Sequence, residues 1–269
     1  MASLSPCCHA RACRGKPSRE KSDSIRDTPA GIDSWPEAGW KSAVSDGLAI
    51  DIGCGWAKRE GFIGIDKDAA APGVEHRIDV EREPLPFADR SVGTIFTSHC
   101  LEHLADQALI FHEMSRVAVN GAALEIWTPY AWTDEAFIYT HRTFFTELHY
   151  LHPCVMFRDH WKDILGATWQ LREFQFVVTE TVQADLARNG VSLDFALKYL
   201  KGVAVEFGTH ITIWHEGAPE PATPRRTFST TRDGPRHPIE PDGAGTRRTP
   251  VAASSRGVAG WLQRLGRRR

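Results

Sequence analysis

Two aspartates and two glycines at the ends of apolar runs have the types and spacing of a nucleoside-binding site. The run LAIDIGCG contains Asp51 and continues through Gly53 to Gly55, and the run FIGID ends in Asp66. Glycine adopts positive φ readily and lets the backbone approach a ligand closely. A carboxylate at position 66 can accept hydrogen bonds from both hydroxyls of a ribose. The stretch therefore indicates a bound nucleoside, although Asp51 could instead cap the turn that follows it.

Two further pairs of polar residues follow apolar runs in the same way. Asp79 and Val80 lie in HRIDV, and Ser98 and His99 follow VGTIFT. The Asp79 carboxylate can accept from an adenine amino group while the Val80 amide donates to a ring nitrogen. Ligands of open α/β sheets bind beyond the carboxyl ends of the strands, so both pairs are expected at the same edge as the glycines. The plainer alternatives are a surface acid at Asp79 and a half-buried structural histidine at His99.

The short distance between the first two runs bears on the choice of cofactor. Only residues 53–61 separate them, whereas a crossover between parallel strands needs roughly a dozen residues or more. A dinucleotide fingerprint also needs a third small residue where Lys58 stands and a helix N-terminus for the pyrophosphate. S-Adenosylmethionine carries no phosphate and makes a weaker demand on that helix. The sequence therefore favours S-adenosylmethionine over NAD or FAD, and an oxidoreductase is the rival that NAD binding would support.

Alternating strand-like and helix-like segments must position these residues. Apolar residues at three- and four-residue spacing predict a helix over 101–118, and another helix is predicted near 192–200. Runs rich in β-branched and aromatic residues predict strands at 48–52, 62–65, 75–79, 93–98, 122–127, 169–179 and 203–214. The alternation predicts an α/β fold with a doubly wound, mostly parallel sheet that ends in an antiparallel hairpin.

Composition divides the chain into three parts. Residues 1–40 are polar and show no sustained periodicity, so we predict a flexible N-terminal extension. Residues 41–217 form the predicted domain, and 218–269 a disordered tail rich in Arg and Pro. The tail has eleven arginines against two glutamates and two aspartates. We expect it to contact an anionic membrane surface or, almost equally, nucleic acid, and a tail without a specific partner is an equal alternative.

Charge and cysteine content exclude several classes of protein. A net charge of −2 gives no overall attraction to polyanions, and no apolar run approaches the ~20 residues of a membrane span. The six cysteines do not resemble a disulfide framework. The segment 7–13, with three of them and a histidine, lacks paired zinc-site spacing, so we predict no metal site. We expect a reducing, cytoplasmic setting, although the basic N-terminus leaves an organellar transit peptide open.

A resemblance rests on four segments in order: LAIDIGCG, FIGIDKD, HRIDVEREPLPFADRSVGTIFTSHCLEHL and NGAALEIWTP. Together they resemble the class I S-adenosylmethionine-dependent methyltransferases, in particular the type 11 methyltransferase domain and a branch with a short first helix. The resemblance covers roughly residues 46–150 and implies a Rossmann-like sheet. Some members of that branch are associated with cell-envelope saccharide synthesis.

The resemblance implies roles for the residues already singled out. Asp51, Gly53 and Gly55 would form the cofactor loop, and Asp66 would hold the ribose. Asp79 and Val80 would contact the adenine, and Ser98 and His99 the methionine end. With the first helix cut short, residues 128–150 or the N-terminal extension are expected to supply one wall of the pocket.

The chemistry expected at this site is methyl transfer to oxygen. A hydroxyl acceptor needs a base, and histidine suits that role. His141, in the segment THRTFF, resembles a recurrent histidine of these methyltransferases and is the predicted base, with His99 as second choice. Enzymes that methylate base or amide nitrogens have an NPPY-type motif at the end of the fourth strand, and this chain has SHCLEH there instead. A small molecule, saccharide or lipid is therefore the expected acceptor. The alternative is a catalytically silent domain that binds S-adenosylmethionine and works through partners.

Overall fold

The described part of the chain contains eight strands and five α-helices. It comprises residues 47–68 and 70–232 of a computed structural model. The strands are β1 (Leu48–Ile52), β2 (Ile63–Asp66), β3 (Val74–Arg77), β4 (Val92–Ser98), β5 (Ala118–Pro129), β6 (Thr168–Val177), β7 (Glu206–Trp214) and β8 (Arg225–Ser229). The helices are α1 (Ala108–Val117), α2 (Glu147–Leu151), α3 (Arg158–Leu165), α4 (Glu180–Arg188) and α5 (Leu193–Tyr199). None of these helices has the length and apolar character of a membrane span.

All eight strands form one sheet in the order β3-β2-β1-β4-β5-β7-β6-β8. The strands from β3 to β5 pair in parallel, β7 is antiparallel to both β5 and β6, and β8 is parallel to β6. The predicted α/β, Rossmann-like, mostly parallel sheet with an antiparallel end is confirmed. The chain reverses its direction of travel across the sheet between β1 and β4. The carboxyl ends of these two strands are therefore where a ligand crevice is expected.

One face of the sheet, which we call the helical face, carries the main hydrophobic core. Residues paired in register share a face, and one such row is Ile50, Ile95, Leu124 and Ile211, all buried. Buried or half-buried apolar residues from all five α-helices belong to the same cluster as this row. Amphipathic helices bury their apolar stripe in this way. Every α-helix in the described ranges thus packs on the helical face.

The opposite face, which we call the charged face, is built differently. Its corresponding row of register partners is Asp51, Phe96, Glu125, His210 and Glu173, and all five are buried. The apolar cluster on this face is small and includes no residue of the helices described above. Burying carboxylates requires partners, because an unpaired buried charge is costly. The charged face is therefore held by specific polar contacts.

Arg59 supplies much of that contact in place of a first crossover helix. The segment between β1 and β2 forms a loop, and Arg59 Nη1 lies 2.7 Å from Glu125 Oε2. Its guanidinium also lies 5.0 Å from the ring centroid of Phe62 and 4.6 Å from that of Phe96. The indole of Trp127 donates to the other Glu125 oxygen at 2.7 Å. An ion pair and aromatic rings thus cover part of the face that a crossover helix would otherwise cover.

The predicted helix over 101–118 is corrected to two shorter pieces. A 3-10 turn spans Leu101–His103, and Leu104 then adopts an extended conformation with ψ of 137°. Helix α1 begins only at Ala108, whose amide donates to the Asp106 carboxylate at 2.8 Å. A short acidic side chain that bonds a neighbouring amide in this way competes with continuous helix. The apolar residues of the 3-10 turn, the following loop and α1 have the three- and four-residue spacing of a single long helix, which is why one helix was predicted.

The predicted domain boundary at 217 is also corrected. Strand β8 lies inside the segment predicted to be a disordered tail and pairs with β6 over five residues. Phe228 stacks on Phe176 with ring centroids 5.6 Å apart, and Arg225 pairs with the buried Glu173. These partners lie far away in sequence, so local composition gave no sign of them. The predicted extension over 1–40, and the tail beyond 232, lie outside the described residues.

Candidate cofactor site

A cavity of about 800 Å³ opens at the carboxyl edge of the parallel strands. Six of the nine predicted site residues line it, namely Gly53, Gly55, Asp66, Asp79, Val80 and His99. They come from the ends of β1, β2, β3 and β4, which are neighbours in the sheet. Sequence-distant residues meet here because the carboxyl ends of parallel strands share one edge. The other three predicted residues lie nearby but do not line the cavity.

The loop after β1 forms a glycine cradle on the floor of the cavity. Gly53 and Gly55 have φ of 69° and 47°, in the left-handed region that favours glycine. A Cβ at position 53 would collide with the Cys100 side chain. The Gly53 amide donates to Ile65 O at 2.8 Å, which ties the loop to β2. Glycine is thus required here on grounds of both conformation and space, and the loop leaves its backbone open to a ligand.

Asp66 links this loop to the next strand end. Its Oδ2 accepts from the Gly55 amide at 2.9 Å, and its Oδ1 accepts from the Asp68 amide at 2.8 Å. A carboxylate has about four acceptor sites, so two remain for a ligand. A side chain fixed by two amides at the rim of a cavity is well suited to holding a pair of vicinal hydroxyls. Asp66 therefore fits the ribose of a nucleoside cofactor.

Asp79 and Val80 lie two and three residues beyond β3. Val80 is buried, and Asp79 accepts from the Glu81 amide at 3.3 Å. Arg82 Nε also lies 3.7 Å from the Asp79 carboxylate. These local contacts would satisfy a purely structural aspartate as well. Asp79 and Val80 line the same cavity as Gly53 and Gly55.

Asp51 and Ser98 stand just behind the cavity wall. Asp51 is only 2% exposed, and its Oδ2 accepts from the Arg59 amide at 2.8 Å. Burial raises the pKa of Asp51 to about 6, against the opposing effects of the Arg59 amide and the nearby positive charges. Ser98 Oγ accepts from Arg232 Nη2 at 2.9 Å. Both residues support the lining residues from within the charged face of the sheet.

His99 is held between two buried carboxylates. Its Nδ1 lies 3.2 Å from Glu102 Oε1 and its Nε2 lies 2.9 Å from Glu206 Oε2. Burial lowers the pKa of His99, but the hydrogen bonds and charges of the two carboxylates outweigh it and raise the pKa to about 9. The residue also has φ of 53°, an uncommon conformation for a non-glycine residue. At neutral pH His99 is therefore a cation with both ring nitrogens engaged.

His141 lies against His103, which lines the cavity. The two ring centroids are 4.7 Å apart at 77°, and His141 Nδ1 lies 3.3 Å from Ala136 O. Burial lowers the pKa of His141, so the ring is neutral at pH 7. His141, His103 and the buried carboxylate of Glu102 form one cluster whose nitrogen and oxygen atoms lie within 4.8 Å of one another. The sequence analysis did not anticipate this cluster.

The segment from 139 to 142 forms one wall of the cavity, which we expected to come from elsewhere in the chain because the first crossover is short. Tyr139, Thr140 and Arg142 line the cavity, within the 128–150 range predicted to contain that wall. The amide of Arg142 donates to Glu102 O at 2.7 Å and holds the segment in place. The sequence analysis singled out THRTFF in this region for His141 alone. The expectation of a wall from residues 128–150 is what indicated the lining residues.

A family model described as a methyltransferase domain matches residues 62–126, which run from the start of β2 into β5. This match confirms the resemblance to class I S-adenosylmethionine-dependent methyltransferases. It implies S-adenosylmethionine as the cofactor, and the glycine cradle and Asp66 fit that molecule.

Solved structures that resemble the chain are distant. An S-adenosylmethionine-dependent methyltransferase from Archaeoglobus fulgidus shares 14% identity, with 64% of this chain and 89% of that one covered, at a TM-score of 0.42. One from Mesorhizobium loti shares 12%, with 63% and 92% covered, at a TM-score of 0.40. A Haloferax volcanii methyltransferase in complex with the Trm112 activator shares 14%, with 65% and 85% covered, also at 0.40. Likenesses at this level carry no conclusion about acceptor or partner.

Proposed function

Since the chain contains a methyltransferase domain of the class I S-adenosylmethionine-dependent type, we propose that it is an enzyme that methylates an oxygen atom of a small molecule, saccharide or lipid. The observation that carries the proposal is the pairing of the glycine cradle with Asp66 at the rim of the cavity. A dinucleotide would need a helix N-terminus beside that cradle, and the loop between β1 and β2 contains none.

The residues around the cavity divide the cofactor among them in this proposal. Asp66 accepts from the ribose hydroxyls, and Asp79 with the Val80 amide takes the adenine. The glycine cradle and His99 border the methionine end, with Asp51 and Ser98 holding them from behind. When bound, S-adenosylmethionine supplies a methyl group on a cationic sulfonium that needs no further activation. The protein then mainly aligns the acceptor and excludes water.

The proton of the acceptor hydroxyl is the remaining chemical problem. His99 was a candidate base, but a histidine held protonated by Glu102 and Glu206 has no lone pair to offer. We assign it a positioning role at the cofactor end instead. His141 is neutral at pH 7 and lies against His103, which lines the cavity, so it remains the candidate base.

The basic tail offers fewer free arginines than composition alone indicated. Arg225, Arg226 and Arg232 pair with carboxylates of the folded domain. The proposal that the tail contacts an anionic membrane surface or nucleic acid therefore rests on the eight arginines beyond 232. Binding of the full chain to anionic vesicles or RNA at about 0.1 M salt, set against a chain that ends at 232, tests it.

A methyl-transfer assay tests the proposed enzyme directly. The full chain is incubated with tritium-labelled S-adenosylmethionine and fractionated saccharide, lipid and small-molecule extracts, and labelled products are separated and identified. We expect label on an oxygen atom. Label on nitrogen would refute the oxygen assignment, and cofactor binding without any labelled product would support a silent domain. Binding of NAD in a fluorescence titration, without S-adenosylmethionine binding, would support the oxidoreductase instead.

A further inference from the structure

Three side chains beside the cavity have the composition of a metal site. Glu102, His103 and His141 each offer one ligand atom, and these atoms lie within 4.8 Å of one another. Two come from the 3-10 turn after β4, and the third comes from the segment that forms the cavity wall. Two imidazoles with one carboxylate suit borderline cations such as Zn²⁺, Fe²⁺ and Ni²⁺.

The backbone fixes the two segments against each other. The carbonyl oxygen of Glu102 accepts from the Arg142 amide at 2.7 Å and from the Thr143 amide at 3.2 Å. The side-chain amide of Gln107 adds a bond to Thr143 Oγ1 at 2.8 Å. His141 is therefore placed opposite Glu102 by a hydrogen-bonded clamp immediately beside it. A site built on such a clamp is preorganised for a ligand.

Both imidazoles have Nδ1 close to a backbone carbonyl oxygen. Nδ1 of His103 lies 3.4 Å from Thr140 O, and Nδ1 of His141 lies 3.3 Å from Ala136 O. A carbonyl can only accept, so Nδ1 carries the proton in both rings when they are neutral. The lone pair then sits on Nε2. A backbone carbonyl on the distal nitrogen is the common outer-shell arrangement of metal-bound histidine.

The carboxylate of Glu102 points independently to a missing partner. The side chain is 1% exposed, and its Oε1 lies 3.2 Å from Nδ1 of His99. Its Oε2 has no hydrogen-bond partner within the described residues. A buried carboxylate oxygen without a partner is costly. A cation between Glu102 and the two imidazoles would remove that cost.

We propose that Glu102, His103 and His141 bind one divalent transition-metal ion, with an open coordination position toward the cavity. The sequence analysis predicted no metal site. The three ligands come from two separate segments, so no zinc-site spacing in the sequence signals them. Ligands about 2.1 Å from a tetrahedral ion lie about 3.4 Å apart, so the rings and the carboxylate must close by up to about 1.4 Å. His103 is exposed and has the room to turn toward the ion.

The consequence for catalysis rests on the proposed function. An acceptor hydroxyl in the open position would be acidified by the ion and would lose its proton to water. The acceptor oxygen then forms its bond to the methyl carbon as the carbon–sulfur bond breaks, and that electron pair stays on sulfur. The Nε2 lone pair of His141 can either bind the ion or accept a proton from the acceptor, but not both at once. With the ion bound, His141 is a metal ligand, and the ion activates the hydroxyl in place of a histidine base.

Metal titration of the full chain, produced without a histidine tag and treated with chelator, tests the site. Zn²⁺ is followed by calorimetry and Co²⁺ by its ligand-field absorption. The variants are His103→Ala, His141→Ala and Glu102→Gln, and the control is His160→Ala, an exposed histidine on α3. We expect the first three to lose one equivalent of binding or to weaken it at least about 10-fold, and the control to match the wild type.

Comparison among variants removes the contribution of the cysteine-rich N-terminus, which is the same in all of them. Equal stoichiometry and affinity in the wild type and all four variants would overturn the proposal, as would the absence of any binding. S-Adenosylmethionine binding by the metal-free chain is measured separately. Metal binding without cofactor binding would refute the proposed function and leave the site standing, whereas cofactor binding without metal binding would do the opposite.

Discussion

The two faces of the sheet solve the same burial problem by different means. On the helical face, rows such as Ile50, Ile95, Leu124 and Ile211 pack against five α-helices. On the charged face, the next row carries Asp51, Glu125 and Glu173, which are buried as well. Apolar packing tolerates an exchange of one apolar residue for another of similar volume, whereas a buried charge requires its specific partner. The helical face thus depends on volume and the charged face on specific pairing.

The difference follows from the shortened first crossover. A loop in place of a helix leaves strand residues that apolar packing cannot cover, and Arg59 covers them with an ion pair to Glu125 and contacts to two aromatic rings. The same loop provides the glycine cradle. Loss of the helix therefore changes both the packing of the charged face and the kind of cofactor that the site can accept.

Removal of β8 should have the largest effect on stability. A chain that ends at 217 loses the strand and also loses Arg225, the ion-pair partner of the buried Glu173. We expect no cooperative unfolding, or a loss of at least about 5 kcal/mol, since an unpaired buried charge alone costs 3–5 kcal/mol. Urea denaturation measures it, with a chain that ends at 232 as control. Equal midpoints for the two chains would show that β8 contributes nothing.

Breaking the Arg59 ion pair should come next. Arg59→Met leaves the buried Glu125 with only its bond from Trp127, and we expect a loss of about 3–5 kcal/mol in the free energy of unfolding. The double variant Arg59→Met/Glu125→Gln removes the stranded charge and should recover much of the loss. If the double variant is no more stable than Arg59→Met, the ion pair is not what holds this face.

The pH dependence of Asp51 is smaller and distinctive. Its folded pKa of about 6 lies above the ordinary value of 3.8, so the folded state binds the proton more tightly. Its contribution to stability is therefore full below about pH 4 and is lost as pH rises through 6, a change of about 3 kcal/mol. Asp51→Asn keeps an acceptor for the Arg59 amide but has no such slope. Unfolding curves from pH 4 to 7 that run parallel for the two proteins would contradict the pKa shift.

A substitution on the helical face should give the smallest effect. Ile95→Val removes one buried methylene and should cost about 0.5–1.5 kcal/mol. The loss of stability should not change between pH 4 and 7, because no titrating group is involved. Chemical denaturation at both pH values checks this. A pH-dependent loss would contradict the view that the helical face is held by apolar packing alone.

The strands were predictable where burial makes them apolar. Strand β1 was predicted with its bounds of Leu48–Ile52, and the long antiparallel pair β6 and β7 was predicted within a few residues. Strand β8 was missed because RRTFS has one large apolar residue. Its place in the sheet depends on Glu173 and Phe176, about 50 residues earlier. Pairing with a distant partner leaves no local signal.

The same distinction between local and distant signals applies to the residues of the site. Gly53, Gly55 and Asp66 were predictable because backbone geometry and the strand end demand those residue types. The charge of His99 was not predictable, because it depends on Glu102 together with Glu206, and the second lies 107 positions away. The cluster of Glu102, His103 and His141 likewise exists only once the segment after β5 folds back. Residue types at one strand end are visible in sequence, whereas contacts between segments are not.

Calorimetric titration with S-adenosylmethionine tests the central claim most directly, namely that the glycine cradle and Asp66 form the cofactor site. The wild-type chain should bind one equivalent. Asp66→Ala should weaken binding by about 1.5–3 kcal/mol, or about 10- to 150-fold, since it removes hydrogen bonds to a charged group. Asp185→Ala, an exposed aspartate on α4, is the control and should bind as the wild type does. Unchanged affinity in Asp66→Ala, or no binding by the wild type, would contradict the account.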